Sequence, residues 1–240
     1  MKLKFYSLLA AFCLLTPLIS SSIAQVKDNQ LSSQEQKEGY KLLFDGKSTK
    51  GWHLYNQGKI ASVWVAKNGE LKCTPGLEAA HGDLVTDEKF ENYELKFDWK
   101  ISKEGNSGVF INVLERKDIP TAWASGPEYQ LLEKSHYDYE KEMKRSGCLY
   151  NFSKQLNNAE LKPLGSWNQS VIKQQNGVIE FYLNGILTAK QDFKTKEWRE
   201  AIAATSFSNF PEFGKFVSGQ IALQDWNKGV SFKNIKIKNL

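Results

Sequence analysis

Residues 93–101 read Tyr-Glu-Leu-Lys-Phe-Asp-Trp-Lys-Ile, a strict alternation of apolar and charged side chains. Successive side chains of a β-strand point to opposite faces of the sheet, so this period predicts a strand with one buried and one solvated face. Strands of this kind are typical of antiparallel sheets. The segment therefore predicts an antiparallel sheet with an apolar face to cover.

Turn signals on both sides of this strand predict further antiparallel strands. Asn-Gly pairs favour tight hairpin turns and occur at 68–69, 176–177 and 184–185. The strand candidates around these pairs are 62–65 with 70–73, and the three-stranded meander 170–174, 178–183 and 186–190. Further candidates are 107–115, 128–133, 147–152, 219–224 and 231–238, with a bulge expected near Asn234.

Helical signals are few and short. Thr195 can cap a helix over 197–203, and Ser33 with Gln36 fits a capping box for a short helix near the start. Many strands with little helix predict an all-β fold, a jelly-roll sandwich of two antiparallel sheets with one or two short helices.

The first 24 residues have the pattern of a secretory signal peptide. Two lysines precede an apolar stretch at 5–15, and Ser22-Ile23-Ala24 supplies small residues before a cut. An uncleaved membrane anchor is the alternative, although the apolar stretch is short for a span of about 20 residues. We expect a signal peptide at 1–24, a tether at 25–38 and one domain at 39–240, in an exported protein that is periplasmic or extracellular. We expect no integral membrane span in the mature form.

Composition and charge narrow the function classes. The chain is 41% hydrophobic and 25% charged, which argues against a disordered chain or a multi-span membrane protein. The net charge of +5 falls to +3 without residues 1–24, which contain two lysines and no acidic residue. The basic residues are spread along the chain, so we expect no nucleic-acid partner. The oligomeric state stays open.

Cysteine usage leaves two alternatives. Cys73 and Cys148 are the cysteines that follow the predicted signal peptide. In an oxidising compartment they could form a disulfide, or they could be two buried small side chains. Neither belongs to a His/Cys cluster with zinc spacing.

The densest group of candidate functional residues lies at 123–138. On a strand over 128–133, Glu128 and Gln130 share one face, where a carboxylate and an amide could bind hydroxyl groups. An ordinary solvated strand face is the alternative. Trp123 precedes this strand in a loop with Ser and Gly, and it is the best candidate for stacking on a sugar.

His136 and Asp138 follow the same strand. In extended chain they point the same way, so the carboxylate could orient the imidazole for proton transfer, or both could bind a metal. A charged, solvated loop is the alternative. Arg145 could hold an oxyanion or lie on the surface. His53 and His81 are weaker candidates that are each better explained as structural.

Two catalytic patterns are missing from the sequence. There is no Gly-x-Ser-x-Gly nucleophile elbow. No close pair of carboxylates supports two-carboxylate glycoside hydrolysis.

Several segments in one order carry a resemblance to a family. They are GYKLLFDG at 39–46, NSGVF at 106–110, GPEYQLL at 126–132, GCLY at 147–150, WN at 167–168, LNG at 183–185, GQIALQD at 219–225 and FKNIKI at 232–237. Together they resemble the 3-keto-disaccharide hydrolase family of exported bacterial proteins. The resemblance implies a concanavalin A-like jelly roll that acts on glycosides oxidised at C3.

The resemblance also implies site residues and a chemistry. It assigns catalysis to Glu128 and His136. It assigns substrate binding to Gln130, Asp138, Arg145, Asn106, Ser107 and Tyr150, and Trp123 joins them as the stacking candidate that the sequence pattern offers. A base would remove the proton on C2, the C1 substituent would leave by elimination, and water would add back. No cofactor is certain, and a divalent metal could serve as the electrophile. The alternatives are a non-catalytic carbohydrate-binding module and a conventional glycosidase on unoxidised glycans.

Overall fold

Two antiparallel β-sheets pack face to face in the computed structural model, which describes residue 1 and residues 27–226 and 228–240. The strands are β1 (Lys41–Leu42), β2 (Trp52–Leu54), β3 (Trp64–Lys67), β4 (Glu70–Cys73), β5 (Leu84–Thr86), β6 (Tyr93–Ile101), β7 (Asn106–Val113), β8 (Glu128–Leu132), β9 (Asn168–Gln175), β10 (Val178–Leu183), β11 (Ile186–Asp192), β12 (Gln220–Leu223) and β13 (Val230–Asn239). The helices are α1 (Ser33–Lys37) and α2 (Lys196–Ala203).

The larger sheet has eight strands in the order β11-β10-β9-β6-β13-β4-β3, with β1 paired to β13. The smaller sheet has five strands in the order β2-β5-β12-β7-β8. We call them the eight-stranded and five-stranded sheets. This two-layer, nearly all-β arrangement confirms the predicted jelly-roll sandwich.

The core lies between the two sheets. From the eight-stranded sheet, the apolar side chains of β6 point inward, and Trp99 is fully buried. From the five-stranded sheet, Tyr129 meets Phe97 edge to face at 5.9 Å between ring centroids. The Tyr129 hydroxyl hydrogen-bonds the Ser170 hydroxyl at 2.7 Å, so its one polar atom is satisfied in the core.

Most predicted elements are found, some with shifted bounds. β6 has the predicted limits, and the meander and the first hairpin are present. The register of β13 against β6 shifts between Lys233 and Lys236, which confirms the bulge, and Asn234 there has a φ of 53°. Thr195 caps α2 by accepting a hydrogen bond from the Trp198 backbone.

Two details of the prediction are wrong, and three short strands were not predicted. The capping box of α1 is formed by Ser32 and Glu35, one residue earlier than expected. Residues 147–152 do not form a strand, because left-handed backbone at Gly147 and Asn151 turns the chain, leaving only an isolated bridge from Tyr129 to Leu149. The strands β1, β2 and β5 have at most three residues each, too few for a periodic pattern.

The start of the described chain is docked onto the sandwich. Residues 27–38, expected as a tether, lie on the outer face of the eight-stranded sheet. Asn29 and Asn234 exchange two hydrogen bonds between side-chain oxygen and backbone N–H, and Asn29 also donates to the Gly69 carbonyl. The predicted signal peptide falls outside the described residues and stays a prediction. No helix in the described part of the chain is long and apolar enough to cross a bilayer.

The two cysteines are buried and unpaired among the described residues. Cys73 lies on β4 and donates to Asp225, whereas Cys148 runs beside β8 and donates to the Glu142 carbonyl. Since Cys73 lies in the eight-stranded sheet and Cys148 in the turn beside β8 of the other sheet, the structure has the second alternative, two buried small side chains.

Candidate active site

The site is organised by one row of residues that crosses the outer face of the five-stranded sheet. Gly108 on β7 is paired with Gln130 on β8. Gln224 follows β12 and donates its backbone N–H to the Gly108 carbonyl. Continuing the β12–β5 register by one residue sets Asp83 against Gln224. Asp83, Gln224, Gly108 and Gln130 therefore lie side by side on adjacent strands.

Glu128 belongs to this face because it lies two residues before Gln130 on β8. Its side chain extends over Gly108, where a Cβ would stand only 2.0 Å from Glu128 Oε1. Glycine at this position therefore makes the space that the carboxyl group occupies.

A hollow of about 350 Å³, here called the first hollow, lies over this row. Its polar lining residues are Asn106, Glu128, Gln130, Tyr150, Ser206 and Gln224. Glu128 Oε1, Gln130 Oε1 and Gln224 Oε1 are buried and have no hydrogen-bond partner among the described residues. A buried polar atom without a partner is costly, so three acceptors here favour a ligand that brings its own donors. Hydroxyl groups of a sugar fit this requirement.

Aromatic side chains form the walls of the first hollow. Trp123 stands edge to face on Phe210, with ring centroids 4.6 Å apart. Phe207 and Phe210 belong to the segment after α2, so this helix positions one wall. Trp226 completes the lining and is 57% exposed, an unusual state for a tryptophan that packs only as core.

A second hollow of about 580 Å³ adjoins the first and shares Trp123, Gln224 and Trp226 with it. Its other polar side chains include Gln57, His81, Asp83 and Asp225. Asp225 Oδ2 contacts His81 Nδ1 at 2.9 Å and accepts the Gly82 N–H at 3.0 Å. The two hollows together form one groove across the sheet.

Two carboxyl groups in this groove are held away from their ordinary titration range. Burial raises the pKa of Glu128 well above its usual value, the charge of Asp83 raises it further, and Lys144 opposes both. Burial raises the pKa of Asp83 to about 7, and although the Asp225 N–H opposes this rise, the charge of Asp225 adds to it. Strongly shifted carboxyl groups in a groove are typical of proton-transfer sites.

A lysine connects the predicted residues Asp138 and Tyr150. Lys144 Nζ lies 3.0 Å from Asp138 Oδ2 and 5.6 Å from the centre of the Tyr150 ring. Burial alone would lower the pKa of Lys144, but the Asp138 carboxylate and the Tyr150 hydroxyl outweigh it and raise the pKa. Lys144 thus supplies a positive charge behind Tyr150, which lines the first hollow.

The sequence suggested that the Asp138 carboxylate orients the His136 imidazole, but the structure gives this carboxylate other partners. Both carboxylate oxygens pair with lysines, Oδ1 with Lys141 and Oδ2 with Lys144. The contact to His136 comes from the Asp138 backbone N–H, which donates to Nδ1 at 3.1 Å. The imidazole is buried in its own loop, stacks on Tyr137, and is not part of the lining of either hollow.

Arg145 and Ser107 also point elsewhere. Arg145 Nε donates to the Tyr139 carbonyl, and the guanidinium lies over the Tyr139 ring. The Ser107 hydroxyl donates to the Gln224 carbonyl, because Ser107 alternates with Asn106 and Gly108 along β7. Both residues support the site from outside the hollow and do not line it.

The predicted residues that the structure does bring together are Asn106, Trp123, Glu128, Gln130 and Tyr150. Gln130 Nε2 donates to Asn106 Oδ1 at 3.0 Å, which fixes both amides at the floor of the hollow.

Sequence reasoning missed Asp83, Lys144, Gln224 and Trp226. Asp83 follows His81-Gly82, and of these three residues the sequence offered only the histidine as a candidate. Gln224 was visible as the end of a strand candidate, but its neighbours across the sheet were not. No three His, Cys, Asp or Glu side chains in the described ranges are grouped as a metal centre would need.

The family model and the curated relative that this chain matches are both named for the cleavage of 3-keto-sugars. Residues 39–238 match the model of the 3-keto-alpha-glucoside-1,2-lyase-like domain. The chain is 31% identical over 249 residues to a 3-keto-disaccharide hydrolase of Bacteroides thetaiotaomicron, covering 92% of this chain and 85% of that protein.

Two solved structures from Parabacteroides distasonis, both provisionally assigned as glycosyl hydrolases, have a similar fold. The first shares 31% identity with a TM-score of 0.81 and covers 89% of this chain and 100% of the other. The second shares 22% identity with a TM-score of 0.63 and covers 84% and 99%.

Proposed function

The chain belongs to the family of 3-keto-alpha-glucoside-1,2-lyase-like domains, and on that premise we propose that it is an enzyme that cleaves the glycosidic bond of 3-keto-glycosides. The observation that carries the proposal is the first hollow, where a buried carboxyl group without a partner stands beside unpaired amide oxygens and aromatic walls.

In the proposed reaction Glu128 is the base that takes the proton from C2 of the keto-sugar. A ketone at C3 makes this proton acidic, because the electron pair left behind spreads onto the ketone oxygen as an enolate. A base is most effective when its pKa lies near the working pH, and burial moves the pKa of Glu128 upward from the ordinary carboxyl range. His136 does not line the hollow, so of the two bases suggested by the sequence we propose Glu128.

The enolate oxygen requires hydrogen-bond donors. Tyr150 lines the hollow, with the Lys144 charge behind it. The Asn106 amide oxygen accepts a hydrogen bond from Gln130, which leaves the N–H groups of Asn106 available as donors. We propose that these two residues bind the ketone and stabilise the enolate. The enolate then collapses, C1 and C2 become doubly bonded, and the C1–oxygen bond breaks. Water adds back across the double bond, with hydroxyl on C1 and hydrogen on C2.

The test is release of nitrophenol from 4-nitrophenyl 3-keto-glucoside by the purified protein, followed by absorbance. We expect turnover, a slower rate when C2 carries deuterium, and loss of about 10³-fold or more in kcat for Glu128→Gln. Glu133→Gln is the matched control, because Glu133 lies on the same segment outside the first hollow. Full activity of Glu128→Gln with loss in His136→Gln would contradict the assignment.

One observation favours a second candidate, a conventional glycosidase. Asp83 and Glu128 are two carboxyl groups on one sheet face, and a pair of carboxyl groups serves the hydrolysis of unoxidised glycosides. Turnover of the unoxidised 4-nitrophenyl glucoside, without an isotope effect from C2, would select it. Binding of glycans without turnover of either substrate would instead select a carbohydrate-binding module.

A further inference from the structure

The second hollow carries acid and aromatic groups that the proposed cleavage of C1 does not use. It continues the first hollow and shares Trp226 with it, so a ligand longer than one sugar ring extends into it. The leaving part of a disaccharide is such an extension. What it needs is a surface to stack on, polar groups for its hydroxyls, and a proton for the departing oxygen.

Asp83 lines the second hollow and lies across the sheet from Gln224, which lines both hollows. It is three positions from Gln130 along the row that crosses the five-stranded sheet, and two positions from Gly108. Since neighbouring strands are roughly 4.8 Å apart, the backbones of Asp83 and Gly108 are separated by roughly 10 Å. Glu128 stands over Gly108, so its carboxyl group and Asp83 lie on the same sheet face about two strands apart.

The surroundings of Asp83 differ from those of its neighbour Asp225. Asp225 is enclosed and already accepts from Cys73, from the Gly82 backbone and from His81. Its carboxylate holds His81 in place at the rim, where the His81 side chain is 54% exposed. Asp83 accepts the Asp225 N–H through one oxygen, at 3.1 Å. The backbone N–H of Ala122 also lies close to this carboxyl group, so Asp83 has two backbone donors where Asp225 has three donors, and Asp83 keeps more capacity for a ligand.

From this arrangement we infer that the second hollow binds the leaving sugar and that Asp83 donates a proton to the glycosidic oxygen as it departs. The inference rests on the proposed function. Trp226 offers the exposed face on which the second ring stacks, and His81, held by Asp225, offers a polar contact to its hydroxyls.

The proton balance closes with these two carboxyl groups. Glu128 takes the C2 proton, and the electron pair of that bond becomes the C1–C2 double bond when the C1–oxygen bond breaks. The oxygen leaves with the electron pair of its bond and takes the Asp83 proton, which makes it a free hydroxyl. When water adds, its hydroxyl goes to C1 and its proton to Asp83, and Glu128 returns a proton to C2. Both groups end in their starting forms.

The leaving group provides the test. A sugar alkoxide is a poor leaving group and needs a proton, whereas 4-nitrophenolate is a stable anion and does not. We expect Asp83→Asn to lower kcat/KM about 10²-fold or more on a 3-keto-disaccharide and to change it little on 4-nitrophenyl 3-keto-glucoside. Asp192→Asn, at the end of β11 in the other sheet, is the matched control and is expected to match wild type on both. Melting temperatures confirm that each variant folds.

A second measurement tests the binding part. Trp226→Ala is expected to raise KM about 10-fold more for the 3-keto-disaccharide than for methyl 3-keto-glucoside, because only the disaccharide has a second ring to stack on it, while Trp167→Ala on the opposite sheet changes neither KM. Equal losses of Asp83→Asn on both leaving groups, or no loss on either, would overturn the inference. If the wild type releases neither leaving group, the proposed function itself has failed.

Discussion

The carboxyl group of Glu128 on β8 occupies the space directly above Gly108 on β7, which is free because glycine has no side chain. Any Cβ at position 108 would overlap Oε1. We expect Gly108→Ala to displace Glu128 and to reduce kcat about 10²-fold, since misplacing a catalytic group by about 1 Å costs that much.

The control for this variant is Gly76→Ala. A Cβ at Gly76 meets nothing within 4 Å, so no displacement is expected there. Steady-state kinetics on a 3-keto-glucoside with both variants checks the idea, and wild-type kcat in a folded Gly108→Ala protein would disprove it.

Lys144 and Lys141 bind the two oxygens of one carboxylate, Asp138, and differ in what else they touch. Lys144 is 22% exposed and lies by Tyr150, whereas Lys141 is 62% exposed. We expect Lys144→Gln to lower kcat about 10- to 100-fold, because the charge behind the enolate site is lost. Lys141→Gln removes an exposed ion pair and should change kcat little. Comparable losses of kcat in both variants would mean that the two ion pairs of Asp138 only hold the loop, and that the Lys144 charge beside Tyr150 has no separate effect.

Glu128 should destabilise the fold at neutral pH. Burial, together with the charge of Asp83 and against the pull of Lys144, raises its pKa in the folded protein. The folded state therefore binds the proton more tightly than the unfolded state, and the free energy of unfolding falls as pH rises above the unfolded carboxyl pKa of about 4.3.

Replacing Glu128 with Gln removes this loss. We expect Glu128→Gln to be more stable than wild type by about 1 kcal/mol at pH 7, with the difference vanishing near pH 4. Urea unfolding at several pH values measures it. A destabilised Glu128→Gln protein at pH 7 would show that the ionised carboxylate is satisfied in a way that the structure does not show.

His53 forms an ion bridge between three parts of the five-stranded sheet. Its Nδ1 lies 2.7 Å from Asp87 and its Nε2 2.8 Å from Glu115. Burial alone would lower the His53 pKa, but the two carboxylates outweigh it, so the pKa is raised. The extra stability is present below the unfolded pKa of about 6.5 and is lost as pH rises through the folded pKa.

For His53→Gln we expect a loss of about 1 kcal/mol at pH 6 that shrinks toward pH 9. Thermal unfolding across this range, with His81→Gln as the second histidine variant, gives the comparison. A stability difference that does not depend on pH would mean that His53 is not protonated when folded.

Asn29 closes the described start of the chain onto the bulge of β13. It exchanges two hydrogen bonds with Asn234 and donates a third to Gly69. We expect Asn29→Ala to lower the free energy of unfolding by about 2 kcal/mol, because buried partners are left unpaired. Gln34→Ala, on the exposed part of α1, is the control for the loss of a polar side chain. Equal losses of unfolding free energy for Asn29→Ala and Gln34→Ala in urea would mean that the hydrogen bonds of Asn29 add no stability of their own.

The sequence predicted those features that depend on the alternation of side chains along a single strand. Alternation along 93–101 defined β6, and the same rule placed Glu128 and Gln130 on one face of β8. It did not reveal Asp83, which joins the row only through the pairing of β5 with β12, more than 130 residues apart. The carboxyl pair that the sequence lacked is therefore produced by the topology of the sheet.

Loop residues were the least predictable. His136 and Asp138 were expected to point together, but the chain turns between them, and the backbone of one contacts the side chain of the other. Lys144 entered the site because Asp138 holds it, a relation that side-chain spacing alone does not give. The positions of these side chains thus depend on contacts within the loop, which the sequence pattern does not predict.

The docking of residues 27–38 on the eight-stranded sheet has a practical consequence for anyone who handles the protein. Asp28 pairs with Lys233 on the layer opposite the groove, and Leu240 donates its backbone N–H to the Asn92 carbonyl at the margin of that same layer. A bead, dye or fusion partner attached at Leu240 would leave the path of incoming sugar clear. Immobilised through Leu240, the molecule should present its working side outward.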